Sequence, residues 1–315
     1  MKFDLKNVRR GGSPGADQIV MIGLDKVGKT SFAADAPKPI FCMTEDGLQS
    51  TDVEFLPNPD DAKAPCLTSW PQVLGWMDEI AKGESGYETL VFDTLTETEK
   101  LLHQHLCRLN GWKSMDTLDY GACYKAAINP WREFLMKLDA IHALGIELIL
   151  LVHAEVKPFK NPDGGDYKRF EMAINNKAAD MFRRWAHTIL FARQEEQVST
   201  EGKRVVLEDR VMYSVRSNGF DAGTRHDVPA KMPLDYKAYA DARDIAHNLP
   251  SLPELAEMAM SIIGQLSAHP AHDMMLADAQ ELIANEKPRL LYQRIERLRV
   301  LVEELQTATE GTEES

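Results

Sequence analysis

Short apolar runs alternate with amphipathic stretches over the first two thirds of the chain. The helical stretches, which have apolar residues three and four positions apart, are Lys29–Ala36, Trp70–Lys82, Glu97–Asn110 and Tyr120–Ala143. Such alternation predicts an α/β fold, in which helices cover both faces of a central, mostly parallel sheet. The apolar runs that predict its strands are QIVMIG (18–23), PIFCMT (39–44), ETLVFD (88–93), IELILLVH (146–153) and HTILFAR (187–193).

Two further strands, near Arg204–Leu207 and Val211–Arg216, are predicted to form a terminal hairpin around the residues EDR. After Pro233 the strand pattern ends, and apolar residues recur only at helical spacing. We therefore predict four parts. They are a flexible N-terminal tail over 1–17, a nucleotide-binding core over 18–245, a small α-helical extension over 246–306 and an acidic disordered tail over 307–315.

The charge is uneven along the 315 residues, whose formal net charge is −13. From Ser251 to Ser315 there are 5 Lys/Arg and 12 Asp/Glu, so more than half of the excess lies in the last fifth of the chain. The acidity of the whole chain therefore does not exclude a nucleic-acid partner for the core. No apolar run approaches the roughly 18 residues that span a bilayer, and the N-terminus lacks the apolar segment of a signal peptide. We expect a cytoplasmic protein without a membrane partner.

The segment Gly23–Thr30 reads GLDKVGKT and matches the phosphate-binding pattern GxxxxGK(S/T) in full. It follows an apolar strand and begins a helix, which is the context that supports the match. Its backbone N–H groups and the helix N-terminus suit a phosphate, Lys29 would reach the β- and γ-phosphates, and the Thr30 hydroxyl would ligate Mg²⁺. The pattern predicts ATP with Mg²⁺ as the ligand, bound by Gly23, Leu24, Asp25, Lys26, Val27, Gly28, Lys29, Thr30 and Ser31.

Asp93 ends the apolar strand of YETLVFDTLTE. A carboxylate there lies at the C-terminal edge of the sheet, beside the phosphate-binding loop. We predict that Asp93 shares the Mg²⁺ with Thr30 and that Thr94 assists it.

The segment MTEDGLQS follows the second strand, and the residue after Asp93 is Thr94, which cannot act as a base. Together with GLDKVGKTS, LVFDTLT and LLVHAEVKP, this arrangement resembles the short RecA-like ATPases of bacteriophages, which have single-strand annealing or recombination roles. The resemblance covers residues 18 to about 235. It implies that Glu45 polarises the attacking water, with Asp46 as the alternative, whereas many AAA+ proteins place this base directly after the Asp of the metal site. A solvated acidic loop is the other interpretation of this segment.

The resemblance also implies a role for His153, which ends IELILLVH at the place where RecA-like proteins carry a polar sensor of the γ-phosphate. The alternative is a histidine that only caps the strand. In this family the sensor passes its signal into a DNA-binding loop. The nucleotide lies between neighbouring protomers of a filament or ring.

The segment from Lys157 to Arg184 carries seven basic and four acidic residues, with Phe159, Tyr167 and Phe170 among them. Basic side chains that follow phosphates, mixed with aromatic rings that stack on bases, suit single-stranded DNA. An ordinary solvated loop or a hairpin over the nucleotide is the alternative. The predicted DNA contacts are Lys157, Lys160, Lys168, Arg169 and Lys177.

Arg216, Arg225 and Lys231 lie where the resemblance implies basic residues that cross to the γ-phosphate of a neighbouring protomer; surface charge is the alternative. The leading hypothesis is a phage-encoded, oligomeric, DNA-stimulated ATPase of the host cytoplasm, active in annealing or recombination. Its partners would be single-stranded DNA, further copies of itself and single-strand-binding or other replication proteins. A helicase-type or helicase-loader ATPase, or a nucleotide-switched binding module with little turnover, remains as an alternative.

Overall fold

A computed structural model describes residues 15–47, 51–83, 85–118, 121–161, 164–198, 205–285 and 287–313. The chain forms two compact units, one of which is Ala16–Ala242 and the other of which contains the helices that follow Arg243. Among the described residues, no helix has the length and apolar character needed to cross a membrane.

The first unit begins with an alternation of strands and helices. Its first half contains β1 (Gln18–Gly23), α1 (Lys29–Ala34), β2 (Pro39–Met43), β3 (Glu54–Phe55), α2 (Trp70–Ile80), β4 (Thr89–Asp93), α3 (Leu95–Asn110), α4 (Ala122–Ala126) and α5 (Ile128–Ala143).

The second half of this unit is richer in strands. It contains β5 (Glu147–Phe159), β6 (Tyr167–Met172), α6 (Asn176–Trp185), β7 (Thr188–Val198), β8 (Val205–Tyr213), β9 (Gly223–Thr224), β10 (Lys231–Pro233) and the start of α7 (Tyr236–Ala246).

The strands form one sheet in the order β10-β8-β7-β1-β5-β4-β2-β3, with β6 paired to β5 and β9 to β7. The strands from β7 to β3 in this order run parallel, while β6, β8, β9 and β10 pair antiparallel. The fold is therefore an α/β arrangement with a central, mostly parallel sheet flanked by helices, as the sequence predicted. Because every residue of β1 is buried, its continuous apolar run is explained by layers on both faces.

The largest core lies between one face of the sheet and helices α2, α3, α5 and α6. At its centre, Trp131 packs edge-to-face against Trp70, Phe134 and Phe182, with ring centroids 5.1–5.4 Å apart. This packing stabilises the strands whose ends carry the polar residues described below.

Three details differ from the sequence prediction. Strand β8 runs through EDR without a turn, because the long strand β7 pairs with it on both sides of that segment. The supposed loop after Lys157 contains the end of β5, the strand β6 and the helix α6, and β6 pairs with β5 from Ala154 to Phe159. The predicted helix Tyr120–Ala143 contains two helices, α4 and α5.

The second unit contains α8 (Leu252–Gln265), α9 (His272–Ala284) and α10 (Pro288–Glu313), which pack around their own apolar core. Leu255, Leu291 and Ile295 are fully buried in it. Helix α10 continues into the segment 307–315, for which the sequence predicted disorder. Glutamate, glutamine and alanine favour helix, and they are frequent in that segment and just before it.

Candidate nucleotide-binding site

The C-terminal ends of the parallel strands bring the predicted polar residues together at one edge of the sheet. In the strand register, Gly23 at the end of β1 lies opposite His153 of β5, and Asp93 at the end of β4 lies opposite Met43 of β2. Glu45 follows Met43 by two residues. The loop after β1, the carboxylate of β4 and the acidic segment after β2 therefore share one site.

The phosphate-binding loop, Gly23–Thr30, connects β1 to α1, and Ser31 lies in the first turn of that helix. Gly28 has φ = 114°, a left-handed value that favours glycine. At Gly23 the limit is space, because an added Cβ would lie 3.0 Å from Val27 Cγ1 and 3.2 Å from the Ala192 carbonyl oxygen. Glycine is thus favoured at Gly28 by the backbone conformation and at Gly23 by the close approach of Val27 and Ala192.

Lys29 is buried, and its ammonium donates to the carbonyl oxygens of Gly23 at 3.1 Å and Leu24 at 3.0 Å. Burial lowers the pKa of Lys29 below its ordinary value, while the nearby carboxylates, Asp93 first among them, oppose that shift. The ammonium is therefore held at the beginning of the loop, within the part of the site where a phosphate would need a cation.

Thr30 and Asp93 form the second part of the site. The Thr30 hydroxyl donates to Asp93 Oδ2 at 2.8 Å, and Asp93 is only 2% exposed. Burial raises the pKa of Asp93, and the hydrogen bond from Thr30 opposes that shift. These hydroxyl and carboxylate oxygens are ligands of the kind that Mg²⁺ prefers. In the described part of the chain no cluster of three or more His, Cys, Asp or Glu side chains could hold a metal ion, so a nucleotide and water would have to complete the coordination.

Glu45 and His153 form the third part. His153 Nε2 lies 3.0 and 3.2 Å from the two carboxylate oxygens of Glu45, while its Nδ1 lies 2.7 Å from Asp25 Oδ1 in the phosphate-binding loop. The hydrogen bond to Glu45 raises the pKa of His153, and the same bond lowers the pKa of Glu45. The imidazole therefore hydrogen-bonds the acidic segment after β2 through Nε2, while its Nδ1 lies close to the phosphate-binding loop without the geometry of a hydrogen bond. Asp46, the alternative base, is exposed.

Three threonines fix this geometry. The Thr44 hydroxyl accepts from the Thr94 N–H at 3.0 Å and donates to the Thr94 carbonyl at 2.8 Å, which ties the end of β2 to the end of β4. The Thr94 hydroxyl donates to Glu45 at 3.3 Å, and the Thr96 hydroxyl accepts from the backbone N–H of His153 at 3.1 Å. Thr44 and Thr96 were not predictable from the sequence, because threonines carry no distinctive spacing at strand ends.

The predicted DNA contacts lie in and after the β5–β6 hairpin and fall into two groups. Lys157 donates to the carbonyl of Ile174 at 2.7 Å, and the Arg169 guanidinium lies 3.8 Å from the centroid of the Phe159 ring and 2.8 Å from Glu171. These two cations therefore stabilise the hairpin and its junction with α6. The other three, whose side chains are exposed, are Lys160, Lys168 and Lys177.

The three candidates for an inter-protomer contact are dispersed. Arg216 is exposed after β8, whereas Arg225 donates to the carbonyl of Arg184 at 3.0 Å beside the N-terminal end of β7. Lys231 lies 2.5 Å from Glu195 on the β7–β8 side of the sheet. Within one chain the structure does not bring them together.

These features define a P-loop NTPase domain. The phosphate-binding loop follows β1, the buried carboxylate of Asp93 ends β4, and His153 lies on β5, the strand between them. Among known families, the AAA_24 model, described as an AAA domain, matches residues 16–226. Because that is more than half of the chain, the protein belongs to this family. No curated protein matches the chain.

Two solved structures illustrate the range of similar folds. A KaiC-like protein from the hyperthermophilic archaeon Pyrococcus horikoshii OT3 is 14% identical, with a TM-score of 0.38 over 71% of this chain and 87% of its own. The flagellar accessory protein FlaH from Methanocaldococcus jannaschii is 10% identical, with a TM-score of 0.32 over 65% of this chain and 88% of its own. Similarity at this level carries no inference about activity.

Proposed function

We propose that this protein is a Mg²⁺-dependent ATPase that acts on single-stranded DNA in phage annealing or recombination. The observation that carries the proposal is the continuity of β5. This strand contains His153, which contacts Glu45 and Asp25 at the nucleotide site, and it continues without a break to Phe159 in the β5–β6 hairpin. One continuous strand thus joins the candidate nucleotide site to the basic, aromatic hairpin.

The roles of the site residues follow from their positions. Thr30 and Asp93 would hold Mg²⁺, which supplies positive charge to the phosphate oxygens when bound. Lys29 would exchange its two carbonyl partners for the β- and γ-phosphates. Glu45 would accept a hydrogen bond from the attacking water and so orient it.

His153 would respond to the state of the nucleotide. Its imidazole lies within 3.0 Å of both Glu45 and Asp25, and we propose that the γ-phosphate binds beside these contacts. A phosphate oxygen there competes for the same imidazole N–H groups. Rotation or displacement of the imidazole would then act on β5, and through β5 on the hairpin.

An ATPase assay with and without single-stranded DNA tests the proposal. We expect turnover in the wild type to rise with DNA, turnover in Lys29→Ala to be lost together with nucleotide binding, and turnover in Glu45→Gln to be lost while binding remains. If neither single-stranded nor duplex DNA changes the rate, the DNA function is wrong. Slow, DNA-independent turnover with tight nucleotide binding favours the nucleotide-switched module instead.

The hairpin can be tested separately by charge reversal. The double variant Lys160→Glu/Lys168→Glu places two negative charges among exposed groups of the hairpin. We expect its affinity for an oligonucleotide to fall at least about tenfold at low salt, with a shallower salt dependence. Lys63→Glu/Lys82→Glu makes the same charge change at exposed positions elsewhere and should bind DNA like the wild type. Equal losses in both variants would indicate only long-range charge.

We further propose that the protein works as an oligomer in which a basic residue completes the site of the next protomer. Arg216→Ala and Lys29→Ala, each inactive alone, should regain part of the turnover when mixed. In a mixed oligomer, an Arg216→Ala protomer provides an intact phosphate-binding loop, and a neighbouring Lys29→Ala protomer provides the Arg216 side chain that completes that site. Mixing Arg225→Ala or Lys231→Ala with Lys29→Ala tests the other two candidates in the same way.

A further inference from the structure

An exposed loop of residues 215–219 follows β8 and carries Arg216. Both of its ends are anchored. Before the loop, Ser214 is fully buried, and its N–H and its hydroxyl donate to two backbone carbonyls of the segment before β10, at 3.1 and 2.8 Å. After the loop, Phe220 is 6% exposed. The contacts at these two ends therefore set the position of Arg216.

The second end of the loop is anchored on the β5–β6 hairpin. The Phe170 N–H of β6 donates to the carbonyl of Gly219 at 2.8 Å, and the Phe170 carbonyl accepts from the Asp221 N–H at 3.1 Å. The ring of Phe191 on β7 stacks on those of Phe170 and Phe220, with centroids 5.6 and 4.5 Å apart. The hairpin thus supports the loop that carries Arg216.

Arg183 of α6 joins the same segments through its side chain. Its Nε donates to Asp221 Oδ2 at 2.5 Å, its Nη2 donates to Glu171 Oε2 of β6 at 3.0 Å, and its Nη1 donates to Asp180 of its own helix at 2.7 Å. The side chains of Asp221 and Glu171 are only 11% and 12% exposed. Because a guanidinium carries several donors in one plane, a single arginine can hold both of these carboxylates.

The Arg183 contact acts on the loop through Asp221. The Ser217 N–H donates to the Phe220 carbonyl at 3.1 Å, so the loop folds back on its anchored end. Without the guanidinium, the carboxylate of Asp221 would keep its charge in a place largely removed from water, which is costly and favours its movement toward solvent. Since Phe220 and Asp221 directly follow the loop, Arg216 would be displaced by the same movement.

We propose that Arg183 is a positioning residue that holds loop 215–219 on the hairpin, so that Arg216 is presented to the nucleotide site of the next protomer. The proposal rests on the inter-protomer role of Arg216 proposed above. It gives the hairpin a second task, because the element proposed to bind DNA also supports the residue that acts on the neighbouring protomer.

The test is complementation of ATP turnover between variants mixed at equal concentrations. In Arg183→Gln we expect kcat to fall about tenfold, with nucleotide affinity within about twofold of the wild type. Mixed with Lys29→Ala, it should rise well above the mean of the two variants alone. About a quarter of the sites in a randomly mixed oligomer then combine an intact phosphate-binding loop with a well-placed Arg216. Mixed with Arg216→Ala, it should stay at the mean, because both variants lack the same function.

Two further variants keep this test specific. Arg184→Gln is the matched control, because Arg184 is the next residue of α6 and is exposed, and it should have the turnover of the wild type. Asp221→Asn removes the charge at the other end of the contact and should complement the same partners as Arg183→Gln. If circular dichroism shows that Arg183→Gln does not fold, Asp221→Asn decides the outcome.

Each other outcome overturns the proposal. Wild-type turnover in Arg183→Gln or Asp221→Asn means that their contact does not position Arg216. If Arg183→Gln complements Arg216→Ala but not Lys29→Ala, Arg183 acts on the nucleotide site of its own protomer. If Arg216→Ala itself fails to complement Lys29→Ala, the inter-protomer role of Arg216 is wrong and this proposal fails with it, although the ATPase function stands. If the wild type has no turnover, both proposals fail.

Discussion

The two ends of the parallel strands carry similar polar groups, but those at the N-terminal ends are buried, whereas Glu45 and His153 at the C-terminal ends are partly exposed. At the C-terminal ends, Asp93, Glu45 and His153 surround the phosphate-binding loop. At the N-terminal ends, Asp17 precedes β1 and Glu147 begins β5. Both ends thus combine aspartate and glutamate with nearby histidine and threonine, so residue type alone does not distinguish a ligand site from a structural one.

The N-terminal cluster is closed by the protein itself. Asp17 is 1% exposed, and Glu147 accepts from the Tyr236 hydroxyl at 2.6 Å and from the Asp17 N–H at 3.3 Å. The groups around the Asp17 carboxylate are the Gln18 N–H, the hydroxyls of Thr188 and Tyr239, and the imidazoles of His187 and His226. Each carboxylate there is hydrogen-bonded by the chain, and burial excludes solvent.

The C-terminal cluster is more open. The side chain of Glu45 is 30% exposed and that of Asp25 is 81% exposed, while the Lys29 ammonium donates to carbonyl oxygens of its own loop. These groups can exchange their present partners for a ligand without unfolding the protein. The two ends therefore differ in whether a ligand can reach the polar side chains and whether their hydrogen-bond partners can be replaced.

The largest effect expected from this comparison is on turnover at the open end. Glu45→Gln removes the carboxylate that would orient water, so we expect kcat to fall about 10²- to 10³-fold, or roughly 3–4 kcal/mol in the activation barrier. The free energy of unfolding in urea should change by less than about 1 kcal/mol, because Glu45 is partly exposed. A turnover within threefold of the wild type would contradict the assignment of Glu45.

The closed end should show the reverse pattern. Asp17→Asn removes the charge that orders three hydroxyl and amide donors and two imidazoles, so we expect a loss of about 3 kcal/mol in the free energy of unfolding. Turnover of the folded protein should stay within about twofold of the wild type. The matched control is Asp116→Asn, since Asp116 also accepts from a tyrosine hydroxyl, of Tyr124 at 3.2 Å, but is exposed. Equal destabilisation by the two substitutions would contradict the importance of burial.

The sequence predicted the open end well because its residues lie in linear motifs. The loop pattern and the strand that ends in Asp93 each span a few residues, and parallel strands bring their C-terminal ends to one edge. The contact between Glu45 and His153 follows once the register places Gly23 opposite His153.

The closed end was not predictable in this way. Asp17 was assigned to a flexible tail, although it is buried, because its partners Glu147 and Tyr239 are 130 and 222 residues away. No local pattern records such contacts. The same reason explains the missed course of β8, because the pairing with β7 resumes on both sides of a register shift at Glu208 and Asp209 and so carries the strand through the polar segment EDR.

Glu99 of α3 is a third kind of carboxylate. It is buried, and its hydrogen-bond donors do not fully offset the rise in pKa that burial causes. Both of its oxygens accept from the backbone N–H of Asn175, at 2.9 and 3.1 Å, yet burial raises its pKa to about 7. Because the folded state holds this proton more tightly than the unfolded chain, Glu99 favours unfolding increasingly as pH rises from about 4.5 to about 7. Glu99→Gln stays neutral, so its free energy of unfolding relative to wild type should rise by about 2.5 kcal/mol over that range. The measurement is urea unfolding of both proteins from pH 4.5 to 7.5, and a constant difference would contradict it.

The smallest expected effect is at Thr94, whose hydroxyl contributes to both stability and turnover. The Thr94 hydroxyl accepts from the Glu97 N–H at 3.3 Å as the N-cap of α3 and donates to Glu45 at 3.3 Å. Thr94→Ala removes both bonds, so we expect a loss of about 1 kcal/mol in the free energy of unfolding and a fall of about fivefold in kcat. Thr94→Ser keeps the hydroxyl and should restore both properties. If the alanine variant loses stability but not turnover, Thr94 is only a helix cap, and Glu45 is positioned by His153 alone.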